Sequence, residues 1–230
     1  MVKVVVFDMD DTLYHERSYV SSGFLAVDGF LCARLGTPKG AVAKACEEIL
    51  AQQGRGKIFD TVLSTFGIYS KTLVRRCLHA YRHHMPAISL LPDATACLEH
   101  LKALHVTLYV VTDGHKVVQA NKANALGLAR WMEHVFITHR YGTLHAKPSP
   151  YCFEKICARE GVAPREVLYV GDNPHKDFVG IKPLGFQTVR IMRGMFAGVE
   201  KEAAYEAERR IETLEELSSF IDIERANHDT

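Results

Sequence analysis

The chain opens on a β-branched apolar run, Val2 to Phe7, that stops abruptly at Asp8. Apart from Lys3, apolar residues stand at every position rather than at alternate ones, which predicts a strand buried on both faces. The period then changes. Val20, Phe24, Val27, Leu31 and Leu35 recur at helical spacing and end before Gly36 and Pro38. Val42, Ala45, Cys46, Ile49 and Leu50 mark a second amphipathic helix that stops near Gly54, and a shorter segment follows from Asp60 to Phe66. Ser70 is placed to cap a helix whose Leu73, Val74, Cys77, Leu78 and Tyr81 make one stripe. Between residues 15 and 89 the pattern contains no convincing strand. An all-helical insertion is expected there.

From Pro92 onward strands and helices alternate. A helix from Ala94 to Leu104 precedes a strand from Val106 to Val111, and Thr112-Asp113-Gly114 then leads into a helix reaching Leu126. Val135 to Thr138 is a third strand, followed by His145-Ala146-Lys147-Pro148 and a helix from Ser149 to Glu160. Val167 to Val170 is a fourth strand, after which Gly171-Asp172-Asn173-Pro174 opens a helix to Leu184. Phe186 to Ile191 makes a fifth strand and Arg209 to Ile211 a short sixth, before a helix opened by Thr213. The charged stretch from Glu200 to Arg210 reads most simply as a solvated helix or loop. Alternation of this kind predicts an α/β fold, a Rossmann-like parallel sheet with helices on both faces. The expected core is 1–14 with 90–230, and the all-helical cap is 15–89.

Composition changes little in this picture. A chain of 230 residues that is 47% hydrophobic and 24% charged is ordinary for a globular protein with a sizeable core. Its 28 basic and 27 acidic residues give a net charge of +1, which leaves no footprint for nucleic acid or an anionic membrane surface. Any affinity for phosphate must be local. The six cysteines contain no C-x-x-C pair and mostly sit in apolar helical patterns, so free thiols in a reducing compartment are expected. The N-terminal apolar run is too short for a signal peptide and nothing approaches the roughly 20 apolar residues of a membrane span. A cytoplasmic protein, monomer or homodimer, is the expectation.

The chemistry gathers at strand ends. Asp8 and Asp10 follow the first strand, Thr112 and Asp113 the second, and Asp172 and Asp177 the fourth. A parallel sheet sets all these ends along one edge, where ligands bind. Carboxylates so close together repel one another and resist burial without a cation or donors. Hard oxygen ligands suit Mg²⁺, which keeps several waters and accepts phosphate oxygens. A hydroxyl, a lysine (Lys147) and a helix N-terminus suit a phosphoryl group.

Phe7-Asp8-Met9-Asp10-Asp11-Thr12-Leu13, Val111-Thr112-Asp113-Gly114, Lys147-Pro148 and Gly171-Asp172-Asn173-Pro174-His175-Lys176-Asp177 resemble, in order, the four motifs of the haloacid dehalogenase superfamily. The resemblance covers the core from residue 5 to about 193, with the helical insertion where that superfamily places its first type of cap. It implies that Asp8 is a nucleophile forming an aspartyl-phosphate, and that Asp10 protonates the leaving alkoxide and later takes a proton from water. It implies Mg²⁺ between the Asp8 carboxylate, the Asp10 main-chain carbonyl and Asp172, with Asp177 holding a metal-bound water or orienting Lys147. Thr112 and the N–H groups of Asp113 and Gly114 would hold the phosphoryl oxygens, with Lys147 supplying charge. The dehalogenases of that superfamily lack an acid at the Asp10 position. Its presence here favours phosphoryl transfer.

The resemblance therefore implies a Mg²⁺-dependent phosphatase acting on a small phosphorylated metabolite, with no nucleic acid or membrane partner. The cap would close over the site and carry specificity contacts. Wording and cap type resemble phosphatases of flavin mononucleotide and 5′-nucleotides, although sugar-phosphate phosphatases carry nearly the same motifs. Arg75, His79 and Arg82 share one helical face that could meet an anionic substrate, a solvated basic face being the simpler reading. His79 and His83 have metal-ligand spacing but no acidic or cysteine partner nearby. Phe24, Tyr19 and Phe66 read as cap core. Arg193-Gly194-Met195-Phe196 either borders the site or forms a surface loop. The alternatives are a phosphomutase of the same superfamily, a phosphonate hydrolase using a cap lysine (Lys39, Lys44, Lys57 or Lys71), and a non-catalytic phosphate-binding module.

Overall fold

The computed structural model describes residues 1–217 together with Phe220 and Ile221. The chain divides into two compact units, one made of Met1–Glu16 and Ser89–Thr230, the other of Arg17–Ile88.

The first unit holds six parallel strands: β1 (Val4–Phe7), β2 (Thr107–Thr112), β3 (His134–Ile137), β4 (Val167–Gly171), β5 (Gln187–Ile191) and β6 (Arg209–Ile211). Their order in the sheet is β3-β2-β1-β4-β5-β6, the doubly wound Rossmann-like arrangement. β1 is central, pairing in register with β2 on one side and β4 on the other, Phe7 lying opposite both Val110 and Val170. All four of its residues are buried, as an apolar run without alternation requires. Val4 and Val6 join a cluster with Tyr109, Phe136, Phe153 and Tyr169, while Val5 and Phe7 point the other way and are equally buried.

The second unit is helical, with α1 (Glu16–Leu35), α2 (Ala41–Gln53), α3 (Ile58–Thr65) and α4 (Lys71–His83). The helical pattern is realised at most of its positions, although Leu35 at the end of α1 is half exposed and the α4 stripe is fully buried only at Cys77. Val20, Phe24, Val27 and Leu31 form the buried stripe of α1, and the Ser70 hydroxyl caps α4 by accepting from Leu73 N–H at 3.1 Å. Tyr19, Phe24, Phe59 and Tyr81 meet edge to face, with centroids 5.5 Å apart for Tyr19–Tyr81 and 5.7 Å for Phe59–Tyr81. The start of α2 lacks a cap of its own, since Gly40 occupies that position. Asp28, buried in α1, supplies it from a distance. Its carboxylate accepts from Gly40 N–H at 2.8 Å, Val42 N–H at 3.0 Å and Ala43 N–H at 3.3 Å.

The helices of the first unit include α5 (Pro92–Ala103), α6 (Lys116–Ala125) and α7 (Tyr151–Glu160). The helix expected between Asn173 and Leu184 does not form. Residues there make successive turns closed by a single 3-10 turn at Lys182–Leu184. Pro183 cannot donate inside a helix, and the Asp177 carboxylate takes the Asn173 N–H at 2.9 Å. The backbone also runs against Pro148 so closely that a Cβ on Gly180 would sit 1.7 Å from the Pro148 carbonyl oxygen. A regular helix has no room there.

Most of the charged stretch from Glu200 to Arg210 is exposed loop, as expected, but Glu206 is buried. Arg190, fully buried in β5, donates to both Glu206 oxygens at 2.8 and 2.9 Å. The helix expected after Thr213 is present at residues 214–217, and its later part falls partly outside the described residues. All six cysteines are free, four of them buried. Among the described residues no helix is long and apolar enough to cross a membrane.

Replacing Asp28 by alanine would orphan three N–H groups at the start of α2. We expect Asp28→Ala to lower unfolding free energy by about 2 kcal/mol in a urea titration. An unchanged midpoint would show that α2 needs no cap from α1.

Candidate active site

The ladder carries one residue past β1, because Asp8 N–H donates to the Val170 carbonyl at 2.8 Å. Asp8 therefore leaves the sheet at its C-terminal edge beside Asp172, which follows β4. The strand order reverses between β1 and β4, and such a reversal opens a crevice beyond the strand ends. One oxygen each of Asp8, Asp172 and Asp177 lie within 4.8 Å of one another, and all three residues are buried.

Lys147 enters this group from the loop ahead of α7. Its Nζ lies 2.7 Å from Asp177 Oδ1 and 3.0 Å from Asp8 Oδ1, and donates to the Tyr169 hydroxyl at 2.8 Å. Tyr169 in turn donates to Asp177 Oδ1 at 3.1 Å. Burial alone would lower the Lys147 pKa, but the charges of Asp177 and Asp8 outweigh it and raise it well above the ordinary lysine value. The ammonium form is favoured. The same burial raises Tyr169, with the Asp177 charge adding to it, so the phenol stays protonated.

Three carboxylates facing one ammonium leave negative charge in excess. Burial pushes Asp8 up to about 6, against the pull of Lys147, and pushes Asp172 up to about 9, with the charges of Asp8 and Asp177 adding to the burial. Asp8 Oδ1 is close to Lys147 but accepts no aligned hydrogen bond from any group. That contact is an ion pair without direction. An orphaned buried carboxylate oxygen, two reluctant acids and an all-oxygen donor set fit a hard divalent cation, which would hold both carboxylates ionised.

The side chain of Asp10 points away from that cluster. Lys122 Nζ donates to its Oδ1 at 2.7 Å, Tyr14 donates to the same oxygen, and Gln119 Nε2 donates to Oδ2 at 2.9 Å. Burial would raise Asp10, but the Lys122 charge and these donors outweigh it and hold the carboxyl below the usual range. Asp113, expected to offer its N–H to phosphate, uses its carboxylate to organise neighbours. Oδ1 accepts from the Thr138 hydroxyl at 2.7 Å and Lys147 N–H at 3.1 Å, and Oδ2 from Lys176 Nζ at 3.0 Å. Its pKa is lowered, burial being outweighed by Lys147 and Lys176. Thr112 and Gly114 flank it at the N-terminal end of α6.

The sequence reading thus missed five side chains that touch the expected ones: Tyr14, Gln119, Lys122, Tyr169 and Lys176. Tyr169 was legible in principle, since a buried phenol in an aliphatic strand needs a partner. Arg193 donates to the Thr12 carbonyl at 3.3 Å and pairs with Asp93. In the helical unit Arg75, His79 and Arg82 are exposed, and His79 Nδ1 lies 3.2 Å from His83 Nδ1.

Known proteins resemble this chain over most of its length. Residues 2–185 match the model of the haloacid dehalogenase-like hydrolases. The chain is 30% identical over 228 residues to a glyceraldehyde 3-phosphate phosphatase of Methanocaldococcus jannaschii, covering 96% of this chain and 97% of that one. It is 30% identical over 167 residues to a phosphoserine phosphatase of Thermus thermophilus, covering 72% and 64%. A HAD phosphatase structure from Thermococcus onnurineus superposes with a TM-score of 0.60 at 28% identity, over 96% of this chain and 98% of that one.

An acid whose folded pKa is raised destabilises the fold once it must ionise. The metal-free chain should therefore lose stability as pH climbs from the unfolded carboxyl range near 4 through about 6 for Asp8 and on toward about 9 for Asp172. A bound divalent cation reverses that loss. Its effect on melting temperature should be larger at about pH 8.5 than at about pH 5.5. Equal shifts at both values would mean the cation binds away from these carboxylates.

Proposed function

The chain belongs to the haloacid dehalogenase-like hydrolases, and within that family we propose that it works as a Mg²⁺-dependent phosphatase of small phosphate monoesters, with Asp8 as nucleophile. The observation that carries this reading is the buried group of Asp8, Asp172 and Asp177 against Lys147 at the strand ends. Asp10, two residues beyond the nucleophile, supplies the acid that phosphoryl transfer to water needs and expulsion of halide does not.

Mg²⁺ would be held by the carboxylates of Asp8 and Asp172 and the main-chain carbonyl of Asp10. Bound there it neutralises charge, so that an anionic nucleophile and an anionic ester can meet. Both oxygens of Asp177 already serve the chain, Oδ1 facing Lys147 and Tyr169 and Oδ2 accepting from Asn173. That supports Asp177 as the group that orients Lys147.

Asp8 attacks phosphorus, the bond to the leaving oxygen breaks, and the phosphoryl group rests on the carboxylate as an aspartyl-phosphate. The Lys147 ammonium, the Thr112 hydroxyl and the N–H groups of Asp113 and Gly114 hold the transferring oxygens. The leaving alkoxide takes its proton from Asp10. Because Lys122 favours the ionised form of Asp10, that proton is best brought by the ester itself, whose second pKa is near 6. Asp10 then accepts a proton from the water that attacks the aspartyl-phosphate, and inorganic phosphate leaves.

The relatives reported above are named for three-carbon phosphates, glyceraldehyde 3-phosphate and phosphoserine. They support a substrate of that size over the flavin and nucleotide monophosphates within the same chemical range.

Purified protein should release phosphate from p-nitrophenyl phosphate with Mg²⁺ and without any sugar bisphosphate, and should stop on adding EDTA. Asp8→Asn should cost at least roughly a thousand-fold in kcat with an unchanged circular dichroism spectrum. Full activity in that variant would remove Asp8 from its role. In a panel scored by released phosphate, three-carbon phosphates should exceed flavin mononucleotide and 5′-nucleotides in kcat/KM. The reverse order would overturn the size assignment while leaving the reaction class intact.

A further inference from the structure

Gln119 and Lys122 stand three residues apart on α6, on the face that also buries Ala123. Both are long polar side chains with almost no exposure, 2% and 3% of their surface. Burying an amide and an ammonium on the core side of a helix is unfavourable unless each finds fixed partners. The partners are functional groups of the proposed site. Gln119 Nε2 donates to Asp10 Oδ2 at 2.9 Å and to Thr112 Oγ1 at 2.7 Å, while Lys122 Nζ donates to Asp10 Oδ1 at 2.7 Å.

The amide can face only one way. A carboxylate accepts and does not donate, so the nitrogen of Gln119 must be the atom turned to Asp10. Having nitrogen there also puts a donor on Thr112 Oγ1. The threonine oxygen is thereby the acceptor of that bond, and its own hydrogen remains for another oxygen. Lys122 holds one oxygen of Asp10 and Gln119 the other, so the carboxylate plane cannot turn. Gly114 makes room for this bridge, because a Cβ there would lie 3.3 Å from both Cγ and Cδ of Gln119, at a φ of +134°.

We propose that Gln119 and Lys122 are positioning residues which lock the acid–base carboxylate of Asp10 to the phosphate-binding hydroxyl of Thr112, so that the proton-transfer group and the phosphoryl cradle move as one unit. Neither touches the reacting atoms. The inference rests on the phosphatase reading above for its kinetic consequence, but the bridge itself is a property of the folded chain.

Two measurements on the full chain separate the two. In ¹H–¹⁵N spectra the Gln119 side-chain amide, identified by its loss in Gln119→Leu, should shift in both Thr112→Val and Asp10→Asn. If it shifts in neither, the bridge is absent and the proposal falls, whatever the enzyme does. Kinetics give the second measurement. A nitrophenolate leaves without help from an acid, whereas the alkoxide of an alkyl phosphate needs a proton. Gln119→Leu and Lys122→Met should therefore lose roughly ten- to hundred-fold more kcat on an alkyl phosphate than on p-nitrophenyl phosphate, with KM nearly unchanged. Lys122→Arg should recover most of the difference. Equal losses on both esters, or a loss confined to KM, would reduce the pair to a structural role. An inactive parent protein with an intact amide shift would overturn the phosphatase reading and the kinetic half of this proposal, leaving only the bridge.

Discussion

One buried ammonium among three buried carboxylates is the constraint on which the core depends. Lys147 contacts Asp8 and Asp177 directly, and Asp172 stands close enough to Asp8 to share a ligand with it. No single segment could assemble this. Asp8 ends the central strand, Asp172 and Asp177 follow its neighbour, and Lys147 arrives in a loop between β3 and α7. The sheet order makes β1 and β4 adjacent, and only this adjacency turns distant residues into one charged cavity. The charges do not cancel. Excess carboxylates and raised carboxyl pKa values are the electrostatic conditions that fit a hard cation.

The surrounding ion pairs hold the segments that bear these carboxylates. Arg190 grips Glu206 with one nitrogen and donates to the Asp172 carbonyl at 3.3 Å with another, tying the 199–208 segment to the turn after β4. Arg193 links the Thr12 carbonyl to Asp93 at the start of α5, while Asp93 Oδ2 also accepts from Leu214 N–H at 3.0 Å. Buried pairs of this kind contribute little net stability, since desolvation offsets most of the attraction, but losing one partner strands a charge. Their effect is to make the backbone near Asp10 and Asp172 expensive to displace.

Much of this was legible in the chain, for identifiable reasons. β1 announced itself because its run of valines has no alternation, and α1 because Val20, Phe24, Val27 and Leu31 keep helical period. Asp8, Thr112, Lys147 and Asp172 were found because each stands where an apolar strand or a loop ends. The segment after Pro174 was misread because its local pattern is compatible with a helix. The Asp177 carboxylate taking the Asn173 N–H, Pro183 and the close approach of Gly180 to Pro148 together exclude one. Glu206 looked solvated because its partner, Arg190, is hidden in a strand sixteen residues earlier. Gln119 and Lys122 escaped because polar residues in a helix read as its wet face. The clue was available in the spacing: Gln119, Lys122, Ala123 and Leu126 follow the i, i+3, i+4, i+7 rule, which puts the first two on the buried side.

Asp8 and Asp10 show how two identical side chains, two residues apart, acquire opposite character. Burial disfavours the charge on both. Asp8 must share Lys147 with Asp177 and lies near Asp172, so its ionisation stays costly. Asp10 has Lys122 at 2.7 Å, a phenol on the same oxygen and an amide on the other, while Glu16 competes for Lys122 only from 3.9 Å. The chain leaves β1 after Phe7 and turns, so the two carboxylates meet different lysines, and the lysines decide the rest. Divergence of this kind between neighbouring acids is what a two-step displacement needs, one group to bond to phosphorus and another to trade protons. In this chain the divergence of the two acids is set less by the aspartates than by what the sheet and α6 place opposite each of them.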